Sequence, residues 1–139
     1  MRYLLNTNVI SEFRKPRPNP LVRAWLDKID SENAWLSVIT LGELQKGIAR
    51  LSDTTRKEAL QAWLEDDLIV RFAGRIVALD TGVLLTWGNL LARLETDGKM
   101  MPAVDSLIAA TALHGNFTLV TRNEVDFTHT GVTIFNPWR

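Results

Sequence analysis

The chain has 139 residues, 46% apolar and 23% charged, with no cysteine. These values exclude a disulfide scaffold, a thiol nucleophile and a zinc–thiolate site, and they argue against global disorder, collagen and coiled coil. Sixteen Lys plus Arg balance sixteen Asp plus Glu, so net charge announces no nucleic-acid partner and any such binding has to come from a local patch. A single domain over residues 1–139 is expected, able to bury about two-thirds of its unfolded surface without a metal or disulfide staple. No apolar run approaches the roughly 18 residues needed to cross a bilayer. The opening Met1-Arg2-Tyr3-Leu4-Leu5-Asn6 shows no apolar signal-peptide core. Absence of cysteine fits a reducing cytosol, so a cytoplasmic protein without a membrane partner is the expectation.

Taken in order, Tyr3-Leu4-Leu5 reads as a short buried strand ending at the polar cluster Asn6-Thr7-Asn8, from which a helix through Phe13 starts. Pro16, Pro18 and Pro20 break the chain, and Leu21, Ala24, Trp25 and Ile29 then follow helical spacing. Residues 34–38 read as the second strand. A helix from Thr40 presents Leu41, Leu44, Ile48 and Leu51 on its apolar face, and the next helix runs through Ala59, Trp63 and Leu64. Residues 75–79 form a third strand. Leu84, Trp87, Leu90, Leu91 and Leu94 trace a helix closed by Asp97-Gly98. Pro102 opens a further helix that His114-Gly115-Asn116 closes. Residues 118–121 and 132–135 complete the strands. This alternation predicts an α/β protein with a parallel sheet.

Ligands of an open parallel sheet gather at the carboxyl ends of its strands. Asn6 directly follows the first strand, Glu43 falls in the first turn of the helix after the second, and Asp126 lies in the loop after Val120-Thr121. Asp105 falls in the first turn of its own helix, whose N-terminus lies at the same edge. A carboxylate cluster there costs free energy through repulsion unless a hard divalent cation neutralises it, and Mg²⁺ and Mn²⁺ favour oxygen ligands. Each residue also has a structural reading. Thr40-Leu41-Gly42-Glu43 is a legitimate capping box, Asp105 suits a helix dipole, Asn123 and Asp126 could make an Asx-turn, and Asn6-Thr7-Asn8 could be an N-cap. Asp80, Asp97 and Glu65-Asp66-Asp67 read as structural or solvated. Arg14-Lys15-Pro16-Arg17, with Arg23 beyond, is a basic patch or a solvated turn.

Four ordered stretches together are more specific. Leu4-Leu5-Asn6-Thr7-Asn8-Val9-Ile10-Ser11-Glu12, Ser37 through Ile48, Asp105 through Ala112, and Thr121-Arg122-Asn123-Glu124-Val125-Asp126-Phe127 resemble the motifs of PIN-domain proteins. The likeness is closest to the VapC and FitB-like toxins of type II toxin–antitoxin pairs, whose typical ending is also seen in Asn136-Pro137-Trp138. The resemblance spans essentially the whole chain. It implies a three-layer α/β/α fold, a metal-dependent ribonuclease using Mg²⁺ or Mn²⁺, an RNA substrate (often a structured RNA of the translation machinery) and a cognate antitoxin that blocks the site. It also implies operator DNA reached only through the antitoxin, and a homodimer. Carried over by position, the catalytic and metal-holding quartet is Asn6, Glu43, Asp105 and Asp126. Thr7, Asn8, Thr121 and Asn123 orient ligands or the attacked phosphate. Asn6 departs from the family, which has Asp there. One anionic ligand is lost while the side chain keeps its size, so the fold should survive with metal binding weakened and cleavage much reduced.

Two functions are therefore weighed. The first is a metal-dependent RNA endonuclease toxin, with Arg14, Lys15, Arg17, Lys46 and Arg122 as candidate substrate contacts. The second is an inactive module that holds an antitoxin in a DNA-binding complex, through a groove between the Leu21–Ile29 and Leu41–Leu51 helices. A doubly wound signalling receiver fits less well, because that class lacks the Thr121-Arg122-Asn123 stretch and the helix carrying Asp105. Exposed Trp and Leu side chains would suit the dimer.

Overall fold

Alternation along the strands decides the architecture. In the computed structural model, which describes residues 1–139, five strands form one parallel sheet in the order β3-β2-β1-β4-β5. They are β1 (Tyr3–Leu5), β2 (Ala34–Ser37), β3 (Ile76–Val77), β4 (Thr118–Val120) and β5 (Thr133–Phe135). Leu4 pairs with Trp35 and Leu119, and Leu5 with Val120. Because successive side chains point to opposite faces, Leu5, Leu36 and Val120 enter one core cluster while Leu4 and Leu119 enter another.

Helices cover both faces. The first cluster is closed by α1 (Thr7–Arg14), α2 (Pro20–Lys28), α3 (Val38–Ala49), α4 (Thr54–Ala62) and a π-helical segment, Trp63–Leu68, that runs into the short α5 (Ile69–Arg71). The second is closed by α6 (Thr81–Thr96) and α7 (Ala103–Gly115). Helix, sheet and helix make three layers. The chain steps outward from β1 to β2 and β3, then returns to place β4 on the other side of β1. The strand order reverses between β1 and β4, and that crevice is where open α/β sheets bind ligands.

Several local expectations change. The third strand stops at Val77, because β2 ends at Ser37, which pairs with Val77, leaving residues 78–79 no ladder partner. The helix expected from Thr40 begins at Val38, since Ser37 Oγ accepts from Ile39 N at 3.1 Å and caps it there. Glu43 therefore sits in the second turn, and no capping box forms. Asp80 caps α6 by accepting from Val83 N, and Glu65-Asp66-Asp67 is exposed, in line with their structural readings. The left-handed residue ending α7 is Asn116, at φ 55°, while Gly115 is required because a Cβ there would overlap the Phe117 ring.

Candidate active site

Asn6 and Thr121 are the first residues beyond β1 and β4, and the switch point brings them together. Asn6 N–H donates to Val120 O at 3.0 Å, and Asn6 Nδ2 donates to Thr121 Oγ1 at 3.0 Å. Asn6 Oδ1 accepts from Thr7 N at 2.9 Å, capping α1. The capping reading of Asn6 is thus correct, and it coexists with a buried position at the crevice.

Thr121 Oγ1 is a hub. It takes N–H bonds from Asn6 Nδ2 (3.0 Å), Asn8 Nδ2 (3.1 Å) and Asn123 N (3.1 Å). A hydroxyl oxygen has two lone pairs and one proton of its own to place, so three donors crowd it. Asn8 Oδ1 is buried without a partner. An anionic oxygen in place of Asn6 Nδ2 would accept the Thr121 proton and relieve the crowding. The turn after β4 is held by this hydroxyl, not by an Asx-turn. Asn123 makes no side-chain cap, and Asp126 falls in a 3₁₀ turn, Glu124–Phe127, where a loop was expected.

Glu43 reaches the same edge from α3. Thr7 Oγ1 donates to Glu43 Oε1 at 2.6 Å and lies 3.1 Å from Thr40 Oγ1. Thr40, read from sequence as a helix start, is a buried strut beneath Thr7. Its place three residues before Glu43, on the same side of α3, is the signal that could have found it.

Asp105 lies in the first turn of α7, where a helix dipole favours the ionised carboxylate. Its carboxyl is nevertheless held above the usual carboxylate range, chiefly by burial and then by the charges of Asp126 and Glu43. The three acids thus share one electrostatic neighbourhood. They do not form a closed cage, for no three Asp, Glu or His side chains converge closely enough to enclose an ion.

The basic candidates divide. α1 runs back from the carboxyl edge for eight residues, about 12 Å at 1.5 Å per residue, and carries Arg14, Lys15 and Arg17 away from the acids. The Arg14 guanidinium lies 4.5 Å from the Trp63 ring centroid, Lys15 pairs with Glu12 at 2.9 Å, and Arg17 is exposed. Lys46 shares a cleft with Glu43. Arg122 and Asn123 border a cleft with Asp126, and the Arg122 guanidinium stacks 5.7 Å from the Trp138 centroid. A clasp that nothing in the sequence signalled holds this segment: Glu124 accepts from Asn136 Nδ2 at 2.9 Å and from Arg139 Nε at 2.9 Å.

The predicted groove between α2 and α3 does not form, because Val22 and Ile48 on those helices are core residues. An apolar cleft of about 450 Å³ opens instead where α1, α2 and the π-helical segment meet, walled by Ile10, Phe13, Leu26, Ile29 and Trp63. No Trp is exposed; the exposed large apolar residues include Leu21, Leu84 and Leu85. No helix is long and apolar enough to cross a membrane.

Comparison with known proteins agrees with this architecture. The family model described as PIN domain matches residues 3–132. Over 135 residues the chain is 42% identical to Toxin FitB of Neisseria gonorrhoeae, covering 97% of each. It is 37% identical to the VapC ribonuclease Y4jK of Sinorhizobium fredii, covering 97% of this chain and 96% of the relative. The solved structure of FitAB bound to an IR36 DNA fragment superposes with a TM-score of 0.92 at 39% identity, over 99% of this chain and 96% of that one. With the β1/β4 crevice, the shared acidic edge and these likenesses in agreement, the chain belongs to the PIN domain family.

Proposed function

We propose that this protein is a metal-dependent endoribonuclease toxin whose phosphodiester-cleaving site is formed by Glu43, Asp105 and Asp126, and that Asn6 weakens it. One observation carries this reading. Burial and the two neighbouring carboxylates raise Asp105 against the pull of its own helix dipole, which marks uncompensated negative charge at the sheet's switch point. The donors available are all hard oxygens, the ligand type that Mg²⁺ and Mn²⁺ favour. Mg²⁺ is typically held by one or two carboxylates plus waters and substrate phosphate oxygens. Glu43, Asp105, Asp126 and Asn6 Oδ1 are the residues that would hold it; when bound, such an ion supplies an acidified water and orients in-line attack on a phosphodiester.

The chain's own groups prepare that chemistry. Thr7 fixes the Glu43 carboxylate through a 2.6 Å bond, and Thr40 supports Thr7 from below. Thr121 holds Asn6, Asn8 and the backbone of Asn123 on one oxygen, which sets the path of the segment that carries Asp126. Asn6 turns an N–H₂ towards Thr121 where the family has a carboxylate. One anionic ligand is therefore missing. The curated relatives named as a toxin and as a ribonuclease support this reading.

Purified protein and its Asn6→Asp variant are compared for RNA cleavage in Mg²⁺ and in EDTA. The variant is expected to cleave at least about tenfold faster than the parent, since even outer-shell losses at metal sites cost about 10–100-fold, and EDTA should abolish the difference. An Asn6→Asp variant that is inert, together with an Asp105→Ala change that leaves any residual cleavage untouched, overturns the reading.

A second reading is favoured by the apolar cleft of α1, α2 and Trp63: an antitoxin helix docks there, and DNA is met only through that partner. It is compatible with the first. The relative solved as FitAB on DNA supports it, and a Phe13→Asp change that leaves co-purification with a cognate partner intact counts against it.

A further inference from the structure

Two clefts flank the start of α7. One, of about 410 Å³, is lined by Glu43, Lys46 and Gly47 of α3, by Arg50 at its C-cap and by Val104. These first four residues lie at i, i+3, i+4 and i+7, a single stripe on the helix surface. The other, of about 210 Å³, is lined by Lys99, Pro102, Asp126 and His129. Pro102 borders the second cleft and Val104 the first, so the start of α7 is the ridge between them, and Asp105 follows Val104 in its first turn.

The cations in these clefts are free. Lys46, Arg50 and Lys99 take part in none of the chain's ion pairs, and their side chains make no hydrogen bond. Arg75 and Arg93, by contrast, are engaged: Arg75 donates to the carbonyls of Ser31, Ala34 and Arg71, and Arg93 to those of His129 and Thr130. Apolar side chains are exposed along the same line, with Met100 at 68%, Val104 at 43% and Val125 at 84% of full exposure. Gly42 and Gly47 on the α3 wall have open space where a Cβ would stand, so the helix backbone is bare on that side.

From this arrangement, and resting on the nuclease reading above, we infer that one RNA strand crosses the ridge from the Lys46–Arg50 cleft to the Lys99 cleft. These three cations hold phosphates on either side of the one at Asp105. Free cations interleaved with exposed apolar side chains suit a single strand, whose unstacked bases and riboses can cover Met100, Val104 and Val125, more than a duplex, whose bases stay stacked and which offers phosphates and 2′-hydroxyls.

The test uses the protein as it stands, in EDTA so that binding is read apart from cleavage. A labelled single-stranded RNA 12-mer is titrated by fluorescence anisotropy across a salt series. For single strands the slope of log K against log salt is about 0.7 per phosphate contact. Lys46→Ala, Arg50→Ala and Lys99→Ala should each flatten the slope by about 0.7, and the triple variant by about 2. Each lost contact then removes a factor of about 2.6 from the affinity change between 50 and 200 mM salt. Lys28→Ala and Arg56→Ala remove unpaired cations on α2 and α4 and should leave the slope unchanged. The inference is overturned by an unchanged slope in the triple variant, by equal flattening in the Lys28 or Arg56 variants, by absence of RNA binding, or by duplex RNA competing as well as single strand. If the Asn6→Asp variant stays inert and Asp105→Ala leaves any residual cleavage untouched while the three-cation dependence holds, the nuclease reading fails and the strand path stands. If that variant cleaves RNA and the triple variant binds as the parent does, the strand path fails alone.

Discussion

Removing the Glu12 carboxylate should destabilise the protein measurably, and in a way that pH reverses. Glu12 is buried on α1 and ties that helix to the proline-rich bend: Oε1 accepts from Lys15 Nζ at 2.9 Å and Oε2 from Asn19 N at 3.0 Å. Lys15 is 58% exposed on its side chain, so the ion pair itself contributes at most about 1 kcal/mol. The Asn19 N–H bond to a buried anion contributes about 1.5–3 kcal/mol, and its loss leaves that donor unpaired. Glu12→Ala should therefore cost about 3 kcal/mol, or roughly 10 °C in Tm for a domain of this size. Glu12→Gln keeps an acceptor for Asn19 and should cost about 1 kcal/mol. The pairing with Lys15 and Asn19 holds the Glu12 pKa below its ordinary 4.5. A depressed folded-state pKa gives stability that is present above the unfolded value and lost as pH falls through the folded one. Urea unfolding followed by circular dichroism at pH 7, and again in steps below pH 4.5, measures both effects. The gap between parent and Glu12→Ala should be full at pH 7 and shrink over the acid steps. A cost below about 1 kcal/mol at pH 7, or a gap that does not change with acid, refutes the reasoning.

Two further substitutions probe the site and the fold. Thr121→Val removes the oxygen that three N–H groups share and should cost about 2–4 kcal/mol, with faster hydrogen exchange at Asn123 and Asp126 in native-state measurements. Gly115→Ala places a methyl group into the Phe117 ring and should cost about 1–3 kcal/mol by overpacking, read as a lower urea midpoint with an unchanged slope.

What sequence could show follows from how each feature is encoded. β1, β2 and β4 were legible because each is a short apolar run ending at a polar residue, and their alternation decides which core each side chain enters. The start of α3 was not, because Ser37-Val38 continues the strand pattern and only the Ser37 Oγ to Ile39 N bond stops it. The length of β3 depends on where its neighbour ends, which is a property of pairing rather than of residues 78–79. Asn6, Glu43, Asp105 and Asp126 could be placed near one edge from chain position alone. That Thr7 would grip Glu43, that Thr121 would collect three donors, and that Glu124 would be clasped by Asn136 and Arg139 are long-range events without local signature. The place of the basic run at 14–17 was hidden for the same reason: the direction of α1, not its composition, carries those charges away from the acids. The π-helical turn at Trp63–Leu68, which opens the apolar cleft, had no pattern to announce it.

Asn6 and Thr121 meet across 115 positions of chain, and this bears on the order in which the protein is made. A ribosome adding roughly 5–20 residues per second exposes the first strand many seconds before the fourth exists. During that interval a truncated product has no counterpart for its leading polar triplet, and the helices of both layers can pack only against an unfinished sheet. For a molecule proposed to cleave RNA, the wiring of the strands is itself a delay: the pocket closes only after residues 118–120 have been made and paired with β1.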